Sequence, residues 1–312
     1  MDGSRTVSRR AVLAVGGAGL ASLAGCTGSR ARQRVSVLAA GSLAAVFNDV
    51  VGPRFEERTG IAYRGEFHGS NAVMRMVLEG QKRPDVVVSA DHRLLREKLQ
   101  RRADPKSEWD VVFASNSIGL TYAEGTDLAD RIADGEPWYR ALLETDAAIA
   151  RSDPDLDPLG YRTVMLFELA ERYYDEPGLA DALVEKLQVD PSEAHLLAAV
   201  ETGERAGAIS YKNMAVDHGL QFHSLPDELD FSKPSLAEHY GTVSYTTEDG
   251  HTVVGKPILY AATVNTDAES PEMGRRFVGF LLERLDLLAE NGLVVTDSFP
   301  VPHGPVPGEV LP

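Results

Sequence analysis

The feature that most constrains this chain is a unit that occurs twice in its first hundred residues: a short apolar strand, a Gly-Ser turn and an amphipathic helix. Val35-Ser36-Val37-Leu38-Ala39 runs into Ala40-Gly41-Ser42, after which Leu43, Val46, Phe47, Val50 and Val51 recur at helical spacing. Ile61 to Phe67, then His68-Gly69-Ser70, then Ala72 to Leu78 repeat the pattern. Pro84-Asp85-Val86-Val87-Val88-Ser89 adds a third strand that is apolar on both faces. Strands of this kind, alternating with helices, specify an α/β fold with mostly parallel sheets covered on both sides.

Length and composition narrow the class. A chain of 312 residues allows one or two domains with a sizeable core, and 43% hydrophobic content excludes wholesale disorder and a many-span membrane protein. The formal charge of −16 argues against nucleic-acid binding, which needs clustered Lys and Arg. A single cysteine, Cys26, excludes a disulfide framework and any Cys-based zinc or iron–sulfur site.

Residues 1–25 read as an export address rather than part of the fold. Ser8-Arg9-Arg10-Ala11-Val12-Leu13 pairs two arginines with an apolar stretch from Ala11 to Ala24, which is short for a membrane span. The pattern fits a Tat-type signal, and Leu23-Ala24-Gly25-Cys26 resembles a lipobox whose cysteine is lipidated after cleavage. Residues 26–34 then form a short lipid-anchored tether, which leaves the chain on the outer face of the cell membrane. The leader carries Asp2 against Arg5, Arg9 and Arg10, so its removal leaves about −18 on the remainder. Such a charge suits a high-salt, halophilic setting, where the screening length falls to about 3 Å at 1 M.

Farther along, Val111 to Tyr122 reads as one strand-like stretch that passes into a second lobe. Trp138 to Leu143, Leu166 to Tyr174, Leu179 to Leu187 and Leu196 to Thr202 read as helices, and Ala206 to Tyr211 as a strand. Tyr240 to Val254 reads as a hairpin turning at Glu248-Asp249-Gly250-His251. Pro257 to Thr263 is a strand that carries the chain back, Phe277 to Leu288 is an amphipathic helix, and the Pro-rich Phe299 to Pro312 is an extended tail. The expected division is 35–115 plus 258–312 for lobe 1 and 116–257 for lobe 2. In open α/β sheets ligands bind beyond the carboxyl ends of strands, at helix N-termini.

Five residues are placed to point into such a cleft. Ser42 and Ser70 each follow a strand and open a helix, so their hydroxyls and the nearby amides attract an anion; each is equally accounted for as an N-cap. Asp157, in Asp157-Pro158-Leu159-Gly160-Tyr161-Arg162, also reads as an N-cap before proline. Glu193, in Asp190-Pro191-Ser192-Glu193, also reads as the far half of a capping box. Tyr211 ends an apolar strand, where its phenol is either a cleft donor or a half-buried core group.

Taken together, these blocks resemble the archaeal molybdate/tungstate-binding proteins of ABC importers, a branch of the periplasmic binding-protein superfamily. The resemblance runs from Val35 to the tail. It is carried by Ala40-Gly41-Ser42-Leu43, His68-Gly69-Ser70, Asp157-Pro158-x-Gly160-Tyr161-Arg162, the Glu193-x-x-Leu196 helix start and Tyr211-Lys212-x-x-Ala215-Val216-x-His218-Gly219-Leu220. It implies a two-lobe class II fold with a ligand cleft between the lobes. It also implies hydrogen bonds to the oxyanion from Ser42, Ser70 and Tyr211, and coordination of its molybdenum or tungsten by Asp157 and Glu193. The implied partners are a permease and its ATPase, with a lipid-anchored monomer as the capturing component and no cofactor.

The acidic pair has a physical rationale. A dianion beside two carboxylates is repelled, by about 4 kcal/mol per unit pair at 4 Å and an effective dielectric of 20. Carboxylates belong in such a site only if they bond to the central atom. Tungsten and molybdenum expand from four to six oxygens whereas sulfur in sulfate does not, so the pair would exclude sulfate. Sulfate, phosphate or ferric iron stand as alternative ligands. An exported hydrolase is the alternative class, but no Gly-x-Ser-x-Gly elbow, Walker loop, His-Glu-x-x-His or cysteine nucleophile accompanies it.

Overall fold

A computed structural model describes residues 33–155, 158–190, 193–248, 250 and 252–312, with the side chains of 193 and 194 left out. The leader, Cys26 and most of the tether lie outside the described residues, as does Asp157. Gln33–Pro312 form one compact unit.

Among the described residues there are two large sheets and a hairpin. In chain order the strands are β1 Arg34–Ala40, β2 Ala62–His68, β3 Val86–Ser89, β4 Asp110–Ser115, β5 Ile118–Tyr122, β6 Ile149–Ser152, β7 Gln188–Asp190, β8 Gly207–Tyr211, β9 Gln221–His223, β10 Ser244–Thr246, β11 Thr252–Val254, β12 Leu259–Val264 and β13 Val301–His303. The first sheet has the order β13-β4-β12-β3-β1-β2 and the second β7-β6-β8-β5-β9; β10 and β11 pair separately. Helices pack on these sheets, giving the expected two-lobed α/β architecture.

Both sheets are mixed, and the reason is topological. In the first, β1, β2 and β3 run parallel, while β12 runs against both β3 and β4. In the second, β6, β7 and β8 run parallel, while β5 runs against β8. The opposed strands β5 and β12 are those the chain enters on crossing between sheets. A chain that leaves one sheet at its carboxyl edge enters the next at the corresponding edge and runs away from it. The carboxyl ends of β1–β3 and of β6–β8 therefore lie on the sides where the crossings are made.

The stretch Val111 to Tyr122, expected as one strand, is two: β4 belongs to the first sheet and β5 to the second, with Asn116-Ser117 between them. Its continuous apolar character reflects burial on both sides of the crossing, which periodicity cannot distinguish from a single long strand. The tail is also more than a surface wrap, since β13 pairs with β4. The amphipathic C-terminal segment is two helices, Pro271–Glu283 and Leu285–Glu290, which meet at Arg284.

The lobe 1 sheet is buried on both faces. Val35, Val37 and Ala39 of β1 face Phe47, Phe55 and Phe277, whereas Leu38 faces Val73, Met74 and Val77 of the Ser70–Leu78 helix. Phe277, on the C-terminal Pro271–Glu283 helix, is fully buried, with ring centres 6.0 Å from Phe47, 5.2 Å from Phe55 and 5.6 Å from Tyr63. The last third of the chain is thereby fastened to its first strands. Phe277→Ala is expected to cost about 3–5 kcal/mol by leaving a cavity among these rings, read as a fall in the guanidinium unfolding free energy.

Candidate functional site

The register of the first sheet assembles one wall of the cleft. Ala40 is paired with His68, so Ser42 and Ser70 each lie two residues beyond paired strand ends. Neither serine is an N-cap. The cap positions are Ala40 and Gly69, and neither makes a side-chain cap bond. Ser42 Oγ instead lies 2.9 Å from Tyr260 Oη, and Ser70 Oγ accepts from the Ala90 amide at 3.1 Å. The serine-cap account offered by local chemistry does not hold for either residue.

The second wall comes from β6, β7 and β8. Tyr211 is the last residue of β8 and is 3% exposed; its Oη accepts from Arg162 Nη1 at 2.5 Å. Arg162 lies on the Pro158–Tyr174 helix, on the buried stripe that includes Leu159, Leu166 and Leu169. That helix seats tightly: a Cβ at Gly160 would overlap the Asp153 backbone. Asp157 precedes the helix and lies outside the described residues. Glu193 is the first residue of the Glu193–Glu201 helix, three residues after Asp190, which is paired with Ser152 of β6; its side chain is outside the described set.

Hydrogen bonds tie the walls together through the crossings. Asn116 Nδ2 donates to Asn213 Oδ1 at 2.7 Å and to Tyr260 Oη at 3.1 Å. Asn213 Nδ2 donates to the Ser42 carbonyl at 2.5 Å. Ser42 from the first lobe, Asn213 from the second and Asn116 and Tyr260 from the two crossings thus share one network.

The local electrostatics favour an anion in spite of the acidic whole. Arg162 is 4% exposed, with its guanidinium carbon 5.7 Å from the Tyr161 ring centre and 5.8 Å from that of Tyr211. Burial works against its charge, but the two phenols and Asp91 outweigh burial and hold its proton more tightly than usual. Asp91 follows β3, caps the next helix by accepting the Arg93 and Leu94 amides at 3.0 and 3.3 Å, and forms an ion pair with Lys256. Burial pushes its carboxyl up, yet Lys256, and after it Arg162, bring it below the ordinary range. Its neighbour His92 is pushed down to about 4 by burial and the nearby Arg96, so it is neutral at physiological pH.

Arg162, Asp91, Lys256, Asn116, Asn213 and Tyr260 were not singled out by the sequence reading. Arg162 carried a usable signal, because an arginine on an apolar helical stripe needs an answering negative group. Asp91 occupies a third strand end, equivalent to those before Ser42 and Ser70. Nothing local marks the others, which become neighbours only through the crossings.

A further segment is wedged at the crossings. The Asp230 carbonyl accepts from the Ile118 amide at 3.0 Å, the Phe231 carbonyl from the Ile258 amide at 2.9 Å, and the Ser232 carbonyl from Ser115 Oγ at 2.6 Å. Phe231, between them, has φ +58°, an unusual value for a bulky residue.

Hydroxyl and guanidinium groups thus lie at strand ends beside a double crossing between the two sheets. A family model described as bacterial extracellular solute-binding protein matches residues 35–294. The chain is 45% identical to a solute-binding protein of Halobacterium salinarum over 311 residues, which is 98% of each chain. It is 32% identical to the molybdate/tungstate-binding protein WtpA of Thermococcus kodakarensis, over 80% of this chain and 77% of that one. The periplasmic molybdate-binding protein of Azotobacter vinelandii shares the fold, with a TM-score of 0.57 at 15% identity over 85% of this chain and all of that one. The chain belongs to the extracellular solute-binding protein family, whose members serve transport rather than catalysis. Among the described residues no helix is long and apolar enough to cross a membrane.

The wedge gives a pH prediction. Burial holds the Asp230 carboxyl up at about 6, even though its bonds from Ser232 favour the carboxylate. Its folded value lies above the unfolded one near 4, so the folded chain binds this proton more tightly. Stability contributed at this site is therefore lost as pH rises from about 4 to about 6. Asp230→Asn is expected to flatten that fall and to gain about 1–2 kcal/mol at pH 7.5. Denaturation of both chains across this range measures the difference.

Proposed function

We propose that this chain captures molybdate or tungstate in the cleft and presents it to an ABC importer. The reading is supported by Ser42 and Ser70, which follow paired parallel strand ends and are not helix caps, and by the buried guanidinium of Arg162 beside Tyr211 at the end of β8. The name of the 32% identical relative from Thermococcus points to the same ligand.

In this reading Ser42, Ser70 and Tyr211 donate hydrogen bonds to the oxyanion's outer oxygens. Asp157 and Glu193 supply oxygens to the metal itself. The repulsion of about 4 kcal/mol per charge pair at 4 Å and a dielectric of 20 turns into selectivity, since only a centre that expands its coordination gains enough from the acids. Contacts come from both lobes, so the closed form binds more strongly than the open one, and ligand shifts the balance toward closure. Binding, not turnover, is the activity.

Residues 1–25 act as a Tat-type signal, Cys26 carries the lipid and 26–34 tether a monomer to the outer face of the membrane. Lobe 1 comprises 35–115 and 258–312 and lobe 2 comprises 116–257, a division supported by strand membership in the two sheets. A permease and its ATPase receive the closed form. A net charge of −16 suits a halophilic setting.

Calorimetric titration with tungstate, molybdate and sulfate tests the reading. The two metal oxyanions are expected to bind at least 100-fold more tightly than sulfate. Asp157→Ala and Glu193→Ala are each expected to weaken tungstate by about 100-fold or more. Sulfate binding of equal strength, or alanine variants that bind tungstate like the parent, would contradict it.

A further inference from the structure

We propose that Arg162 is the charge-balancing and positioning residue of the oxyanion site, a role that rests on the reading of the cleft as a molybdate or tungstate site. A guanidinium that is 4% exposed has lost most of its water and persists only where negative charge answers it. Among the described residues the carboxylate whose charge acts on it is Asp91, and Asp91 is already committed to Lys256 and to two backbone amides. Asp91 and Lys256 form a nearly neutral pair, which leaves the positive charge of Arg162 on the wall beside Tyr211.

That charge is what the bound state requires. A dianion held by two carboxylates concentrates four negative charges in one desolvated space. The serines and the tyrosine bring dipoles but no net charge. Arg162 is the buried cation at the end of β8, adjacent to where Tyr211 reaches the ligand.

Its second effect is orientation. Tyr211 Oη accepts from Arg162 Nη1 at 2.5 Å, so the phenol's own proton is turned away from the guanidinium and is directed elsewhere as a donor. The flanking rings of Tyr161 and Tyr211 keep the planar group in place.

The test compares Arg162→Met and Arg162→Lys with the parent in the intact chain, by calorimetric titration with tungstate and by thermal melting without it. Loss of charge in the Met variant is expected to weaken tungstate by about 100-fold, the scale of deleting one member of a buried charged contact. Lys keeps the charge but not the fork, and is expected to recover binding to within about tenfold of the parent. The unliganded melting temperatures of all three should lie close together, because an apolar side chain of similar length fills the same space. Met binding within about threefold of the parent overturns the proposal. So does a Lys variant as weak as Met, with losses that follow the melting temperature, which marks a packing role. If the Met variant does not fold, Arg162→Gln replaces it in the same comparison. A parent chain that binds neither tungstate nor molybdate overturns the oxyanion reading itself, a result distinct from a binding parent whose variants are unaffected.

Discussion

The direction of two strands governs this molecule. Because the chain passes from one sheet to the other at Asn116-Ser117 and returns before Leu259, β5 and β12 must run against their neighbours. That single constraint puts the carboxyl ends of the parallel strands at the crossings, where loops lead into helix N-termini and backbone amides are free to meet an anion. It also makes the site and the hinge one piece of structure. Tyr260 touches Ser42 and Asn116, while Asn213 touches Asn116 and Ser42, so residues that line the cleft are bonded to residues that join the lobes.

Electrostatics sharpen the account. A chain with 47 acidic and 31 basic residues repels anions at long range, so attraction has to be built at close quarters. In the proposed site the groups available for it are half-buried serine hydroxyls that are not helix caps, a buried phenol that accepts from a guanidinium, and a buried guanidinium near the Asp91–Lys256 ion pair. High salt screens the surface and leaves these buried interactions largely intact.

The sequence displayed the architecture better than the site. Alternation of apolar strands with helices gave the α/β class, and the repeated Gly-Ser turns marked the ends of β1 and β2, because each signal is local. Val111 to Tyr122 was legible as the passage between lobes but not as two strands, since a buried crossing and a long buried strand have the same apolar composition. The pairing of β13 with β4 was hidden for a similar reason: a Pro-rich tail gives no periodic sign of joining a sheet. Ser42 and Ser70 looked like caps because their position in sequence fits a cap, and only the backbone angles and partners separate the two roles. Asp91 and Lys256 lie 165 residues apart, and no spacing rule connects them.

The proposed selectivity requires that carboxylates bond directly to the metal of the captured oxyanion. X-ray absorption at the tungsten edge, on the chain loaded with tungstate and freed of excess ligand, tests it most directly. Six oxygens in the first coordination sphere, split between short terminal and longer carboxylate bonds, is the predicted result. Four equal oxygens, as in free tungstate, would contradict it.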